Sequence, residues 1–261
     1  LTVNSRSLGK TMEQLSTGKR INSAADDAAG LAISNKMTAQ IRGLNQAVRN
    51  ANDGISLLQT ADSATEQMSG MLWRMKELAI QSANDTNGQA DRDALNTEFE
   101  GLQAQLGAVI SNTEWNGSKV LSGEVGSSGS VEFHVGASSA DHFTVDMSSL
   151  DTGSLHDVMQ SSVLISSRSD ATSALTSIDD ALTQLANSRS TWGAASNRLV
   201  HAADNAMNVS MNSSASRSRI MDTDYAQTTA DMARAMILNQ AGSAMLSQAN
   251  HQPMLVLALL R

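Results

Sequence analysis

Apolar residues recur three and four positions apart in two long tracts near opposite ends of the chain. In the first, Ile41, Leu44, Val48, Ala51, Ile55 and Leu58 form a stripe. Asp62 and Thr65 interrupt it, and Met68, Leu72, Met75 and Ala79 resume it in the same phase. The second runs through Leu175, Ile178, Leu182, Leu185, Trp192, Leu199, Ala203 and Ala206, with Arg189 and Ser196 standing at seam positions. Spacing of this kind lays one narrow apolar seam along each helix, and such a seam must be buried against another helix. An ordinary bundle core would satisfy that requirement, but length favours a rod. Taken as one helix, residues 37–82 are roughly 70 Å long, about twice the width of a compact domain of this size.

Shorter elements surround the two tracts. Leu8, Met12 and Leu15 mark a helix in residues 1–20 that ends near Ser16, Thr17 and Gly18. The small, Ala-rich stretch 20–30 either lets two backbones approach closely or is a turn in which Ser23, Asp26 and Asp27 cap the next helix. The long helix stops around 84–88, where Asn87-Gly88 signals a turn. Asp91 then opens a third helix as its N-cap, carrying Leu95, Phe99, Leu102, Leu106 and Val109, and this helix ends before Asn116-Gly117. Between 123 and 150 the period becomes alternating. Val131, Phe133 and Val135 share a face, as do Phe143, Val145 and Met147, with a polar loop at 136–141, which predicts a β-hairpin with one buried face. The Ser- and Asp-rich residues 151–172 read as a connection. After a polar stretch at 208–219, a last helix covers about 223–249.

Beyond the only proline, Pro253, the chain is almost wholly apolar, with Leu255, Val256, Leu257, Leu259 and Leu260 in succession. Burial of one Leu is worth roughly 1.5–3 kcal/mol. Either this tail tucks into its own domain or other copies of the chain bury it.

Composition narrows the function classes. Of 261 residues only 3% are aromatic, and the net charge is −8. Few aromatics favour slender helix–helix seams over a thick interior. No concentrated basic face is available for phosphates, which argues against nucleic acid as a partner. The absence of Cys removes disulfides, thiol catalysis and Cys-type zinc sites together. No apolar run reaches bilayer-spanning length, so membrane insertion is not expected. The histidines His134, His142, His156, His201 and His251 form no metal-binding pair of the H-E-x-x-H type. His134 and His142 could face each other across the hairpin, yet solvated strand histidines are commoner than ligands. Asp26-Asp27 and Asp179-Asp180 are adjacent pairs whose side chains diverge on a helix, so they make no carboxylate dyad. Asn-x-Ser/Thr triplets, among them those beginning at Asn116, Asn208 and Asn212, are frequent by chance. The residues point to neither an enzyme nor a cofactor.

Several long segments resemble one family. LSTGKRINSAADDAAGLAI at 15–33, NANDGISLLQTA at 50–61 and MKELAIQSA at 75–83 are similar to the N-terminal region of bacterial flagellin. RIMDTDYA at 219–226 and ILNQAGSAMLSQAN at 237–250 resemble its C-terminal region. The resemblance covers roughly 1–122 and 170–261. It implies a mainly α fold, an elongated antiparallel helical bundle or coiled-coil rod with a small β-hairpin region and a terminal helical pair. Residues 1–28 and 221–261 would form an inner, channel-lining helical domain. Residues 29–122 and 170–220 would form the rod, and 123–169 the hairpin and a short variable connection, with large outer domains absent.

The implied function is a self-assembling structural subunit of the extracellular flagellar filament, exported by the flagellar type III apparatus without a cleaved signal peptide. The family's first helical turns, which carry its export signal, would precede Leu1. Implied partners are identical subunits, a secretion chaperone, hook-associated and filament cap proteins, and the host Toll-like receptor that senses flagellin. Ile237, Leu238, Met245 and Leu246 would supply the apolar grip for chaperone and assembly. Leu255, Val256, Leu257, Leu259 and Leu260 would pack between subunits. Arg74, Leu78 and Glu98 match the family's receptor-binding positions, although solvated charges and a core leucine explain the same residues. A hook–filament junction protein is the alternative within this class. An adhesin or glycan-binding protein on the same scaffold is the alternative outside it, and the scattered Trp73, Trp115, Trp192 and Tyr225 do not favour it.

Overall fold

The structure is a computed structural model describing residues 1–127, 129–148 and 150–259, with side chains described through residue 250. It is mainly α. Helices α1 (Thr2–Thr17), α2 (Ala28–Ala83) and α3 (Gln89–Asn112) are followed by two small hairpins, β1 (Glu114–Trp115) with β2 (Ser118–Lys119) and β3 (Ser130–His134) with β4 (His142–Asp146). The short α4 (Ser154–Met159), the long α5 (Arg168–Met221) and α6 (Tyr225–Leu259) complete it. The chain divides into two compact units, residues 1–42 with 209–261 and residues 43–208, and both α2 and α5 contribute to each.

In the unit formed by 43–208, the expected seam of α2 is the core. Met68, Leu72, Met75 and Ala79 are fully buried, and on α5 Ile178, Leu185, Trp192 and Leu199 are buried with them. The apolar face of α2 is wider than a two-helix seam, because Leu57, Ala64 and Leu78 are buried as well. It takes two partners. Arg74 of α2 pairs with Glu98 of α3, and Lys76 of α2 pairs with Asp179 of α5. The interruptions are accommodated rather than expelled. Thr65 is fully buried and returns its hydroxyl to the Asp62 carbonyl at 2.8 Å.

The expected hairpin forms, and the structure sets its register, with Val131 opposite Val145 and Phe133 opposite Phe143. Its apolar face lies on the helices. A Cβ on Gly54 would come within 2.9 Å of the Phe133 ring. A glycine in mid-helix costs roughly 1 kcal/mol against alanine, and here it is what lets the strand approach. Arg198 of α5 stacks over Phe143 at 4.0 Å, and Trp192 Nε1 donates to the Asp146 carbonyl at 3.2 Å.

Four local expectations are corrected. Gly88, not Asp91, occupies the N-cap of α3; Asp91 sits at the third helical position and its Oδ2 accepts the Gly88 N–H at 3.0 Å. Residues 151–172 are not a plain connection, because α4 inserts Leu155 and Val158 into the core and α5 has already begun at Arg168. One helical turn and a half is too short to show a period. The polar stretch 208–219 does not break the helix, since it holds neither Gly nor Pro and α5 runs through it to Met221. Finally, Asn116-Gly117 does more than follow α3. It is the two-residue turn of the β1–β2 hairpin, with Glu114 opposite Lys119 and Trp115 opposite Ser118.

Candidate functional site

In the unit formed by 1–42 and 209–261, the helix pair α1–α6 sets out the surface of interest. Gly18 ends α1 in the left-handed conformation (φ 69°), and a Cβ there would come within 2.9 Å of the Tyr225 hydroxyl at the start of α6. The turn after α1 is stitched to the turn before α6. The Arg20 N–H donates to Met221 O at 2.6 Å, and the Thr223 N–H donates to Gly18 O at 3.0 Å. Farther along, Asn4 Nδ2 donates to the Ala235 carbonyl at 2.7 Å.

The Ala-rich stretch after α1 resolves into a capped turn. Asp26 Oδ2 accepts the backbone N–H groups of Asn22 and Ser23 at 3.2 and 3.0 Å, and Lys10 reaches Asp26 Oδ1 at 2.8 Å. The Lys10 ammonium first, and then these N–H donors, hold the Asp26 carboxyl well below the usual carboxylate range. Asp27 caps α2, accepting the Gly30 N–H at 2.8 Å.

This framework buries little of α6. Among the described side chains of that helix only Thr228 and Ala235 are buried, whereas Ile237, Leu238, Met245 and Leu246 are 65%, 55%, 70% and 55% exposed. Val3 and Met12 on α1 are exposed too. Large apolar side chains left open in this number on one helix are the mark of a surface that a partner covers. The side chains of Leu255, Val256, Leu257 and Leu259, and residue Leu260, lie outside the described residues, so the tail packing expected for them has no structural counterpart here.

The structure brings Arg74 and Glu98 together and separates Leu78 from them by burial. Arg74 Nε donates to Glu98 Oε1 at 2.8 Å across α2 and α3, and its Nη1 donates to Glu77 Oε2 at 3.1 Å. These two carboxylates push the guanidinium pKa still higher. Both Arg74 and Glu98 remain about half exposed, while Leu78 is only 1% exposed and belongs to the core. The sequence pattern did not foretell that two large apolar residues of α2 near this patch are exposed. Trp73 and Ile80 on α2 are 61% and 55% exposed. Their one available signal was that each stands off the seam, next to a core residue.

Elsewhere in the unit formed by 43–208, the two charged seam positions find each other. Arg189 Nε meets Asp62 Oδ1 at 2.7 Å, in a half-buried pair beside a groove of about 520 Å³. A larger groove of about 750 Å³ between α2 and α3 is lined by uncharged side chains, among them Gln59, Gln67, Gln105, Asn112 and Trp115. His134 and His142 do lie opposite each other. Among the described residues, no group of three His, Cys, Asp or Glu could hold a metal ion. No helix among them is long and apolar enough to cross a membrane.

Comparison with known proteins agrees with this geometry. Residues 1–125 match the bacterial flagellin N-terminal helical region, and residues 175–260 match the bacterial flagellin C-terminal helical region. The flagellin of Halalkalibacterium halodurans is 46% identical over 252 residues, covering 97% of this chain and 91% of that one. The flagellar filament 33 kDa core protein of Treponema phagedenis is 38% identical over 265 residues, covering 98% and 93%. Among solved structures, the crystal structure of Bacillus cereus flagellin superposes with a TM-score of 0.53 at 29% identity, over 60% of this chain and 88% of that one.

Proposed function

Because this chain belongs to the bacterial flagellin family and is a structural subunit of the flagellar filament, we propose that the exposed apolar face of α6 is the surface through which its copies assemble. The observation that carries this reading is the exposure of Ile237, Leu238, Met245 and Leu246 on a helix that its own chain leaves nearly uncovered. Burying such residues between subunits recovers the free energy that the isolated chain forgoes. In this reading residues 1–28 and 221–261 form the inner part of the filament. Residues 29–122 and 170–220 form a surrounding rod, with 123–169 on its flank. Export precedes assembly, so the same apolar face is available to a secretion chaperone as a helix laid in a groove. Hook-associated and cap proteins meet equivalent surfaces at the filament ends.

Sedimentation and electron microscopy of the purified protein under polymerising conditions test the proposal. Filaments that form from wild type but not from a variant with charged residues at 238 and 246 support it, and filaments from both refute it.

A second reading concerns the Arg74–Glu98 patch. An exposed guanidinium held by two carboxylates beside exposed Trp73 is the kind of surface on which interface hot spots occur. We assign it to recognition of the monomer by the host Toll-like receptor. Arg74, Glu98 and Trp73 would make the contact and buried Leu78 would support their helix from beneath.

A further inference from the structure

The chain contains two Asn-Gly pairs, Asn87-Gly88 and Asn116-Gly117, and the fold treats them oppositely. At the first, the side-chain amide nitrogen, the attacking N–H and the glycine carbonyl are all engaged. Asn87 Nδ2 donates to the Gln81 carbonyl at 2.5 Å, and the Gly88 N–H donates to the Asp91 carboxylate at 3.0 Å. The Gly88 carbonyl accepts the Arg92 N–H at 3.1 Å as the cap of α3. A carboxylate on the Gly88 N–H also opposes its deprotonation.

At the second pair none of this holds. Asn116 and Gly117 are both exposed at the tip of the β1–β2 hairpin. Their φ angles of 49° and 78° are the two left-handed residues of a type I′ turn. The ladder closes between Trp115 and Ser118, which leaves the Gly117 N–H outside it. The Asn116 side chain has no hydrogen-bond partner among the described residues, and nothing lies within 4 Å of where a Gly117 side chain would begin.

We propose that Asn116 is a site of spontaneous succinimide chemistry, a built-in modification site that the fold leaves open while it closes the one at Asn87. The Gly117 backbone nitrogen, losing its proton to solvent base, attacks Asn116 Cγ. The new C–N bond closes a five-membered imide, and Nδ2 takes up a proton and departs as ammonia. Water then opens the imide at either carbonyl, giving aspartate or isoaspartate; the net change is uptake of one water and release of one ammonia. Both products place a negative charge beside Trp115, at the rim of a groove whose lining has no ionisable side chain. Isoaspartate also adds a backbone carbon inside a two-residue turn, which the pairing of Trp115 with Ser118 cannot absorb without slipping. The reactive form is the monomer or any assembly that leaves this hairpin tip open to solvent.

The test is incubation of the monomer in mildly alkaline buffer. It is followed by peptide mass spectrometry across both Asn-Gly pairs and by enzymatic methyl labelling of isoaspartate. A parallel sample is held in concentrated urea, where both pairs should convert at similar rates. In the folded chain, conversion at Asn116 should exceed that at Asn87 by roughly 30-fold, the factor expected when two ordinary hydrogen bonds must break first. The Asn116→Gln variant should lose the labelled product at this site alone. Equal conversion at the two sites in the folded chain would overturn the proposal. So would an Asn116 that stays intact when folded yet converts in urea, because the turn would then be protective.

Discussion

Replacing Leu238 and Leu246 with Ser probes the assembly surface with little effect on the monomer, because both side chains are 55% exposed there. Complete burial of a Leu is worth roughly 1.5–3 kcal/mol, and about half of that remains to be gained on assembly. Two such side chains therefore represent about 2–3 kcal/mol per subunit. At 1.4 kcal/mol per factor of ten, the critical concentration for polymerisation should rise roughly 30- to 150-fold. Serine also lowers helix propensity by up to about 0.5 kcal/mol per position, which would mimic part of the effect. A Leu238→Ala, Leu246→Ala pair removes that objection, since alanine is the best helix former and most of the apolar area is still lost. Both pairs should keep the circular dichroism of the wild-type monomer and raise the critical concentration measured by sedimentation, the Ala pair somewhat less. If the Ala pair polymerises at the wild-type concentration to within about twofold, burial at these positions does not drive assembly, and α6 must meet its neighbours through another face.

Three further outcomes follow from other parts of the molecule. Gln103, 5% exposed on α3, donates through Nε2 to the carbonyls of Val158, Val163 and Gln160. Gln103→Leu removes the donor from the Val158 and Val163 carbonyls at about 1–3 kcal/mol each, while the Gln160 carbonyl keeps the Val163 N–H, so urea unfolding should shift by about 2–6 kcal/mol; a shift below about 0.5 kcal/mol would show that water replaces the amide. Arg74→Ala should weaken receptor-reporter activation by purified monomer at least tenfold while filaments still form, as expected for a central arginine; an unchanged response would place recognition elsewhere. Asp26 has a depressed folded-state pKa, so its contribution to the 22–27 turn is fully present above the unfolded value near 4 and is lost only as pH falls through the lower folded value. An NMR titration of the Asp26 carboxyl should therefore find it still ionised where exposed aspartates are half protonated, and Lys10→Met should raise its midpoint; titration at the ordinary midpoint would contradict the ion pair.

The sequence by itself determined the long helices and the buried face of α2 and α5. The three-and-four spacing of Met68, Leu72, Met75 and Ala79 follows from helix geometry alone, and these residues are the core. The same holds for the β3–β4 hairpin, where alternation puts Val131 and Phe133 on one face and Phe143 and Val145 on one face, although it does not by itself choose the register. Caps were legible where a short polar side chain and a turn coincide, as at Asp27. The apolar character of Ile237, Leu238, Met245 and Leu246 was equally plain.

Only the tertiary structure decided which apolar residues the chain leaves uncovered. Leu78 and Leu238 look alike in a linear pattern. One lies in the core cluster shared with residues of α3 and α5, and the other stays exposed on a helix of which only Thr228 and Ala235 are buried among the described side chains. Partner choice among polar residues was decided there too. Asp62 and Arg189 are merely interruptions when each tract is read alone, and they become an ion pair once α2 and α5 are set in register, 127 residues apart in sequence. The settings of the two Asn-Gly pairs have the same origin, since Asn87-Gly88 is held by Gln81 and Asp91, while the Asn116 side chain has no partner among the described residues. Periodicity reports the direction in which a side chain leaves its own helix. What waits there depends on long-range packing, which no local pattern encodes.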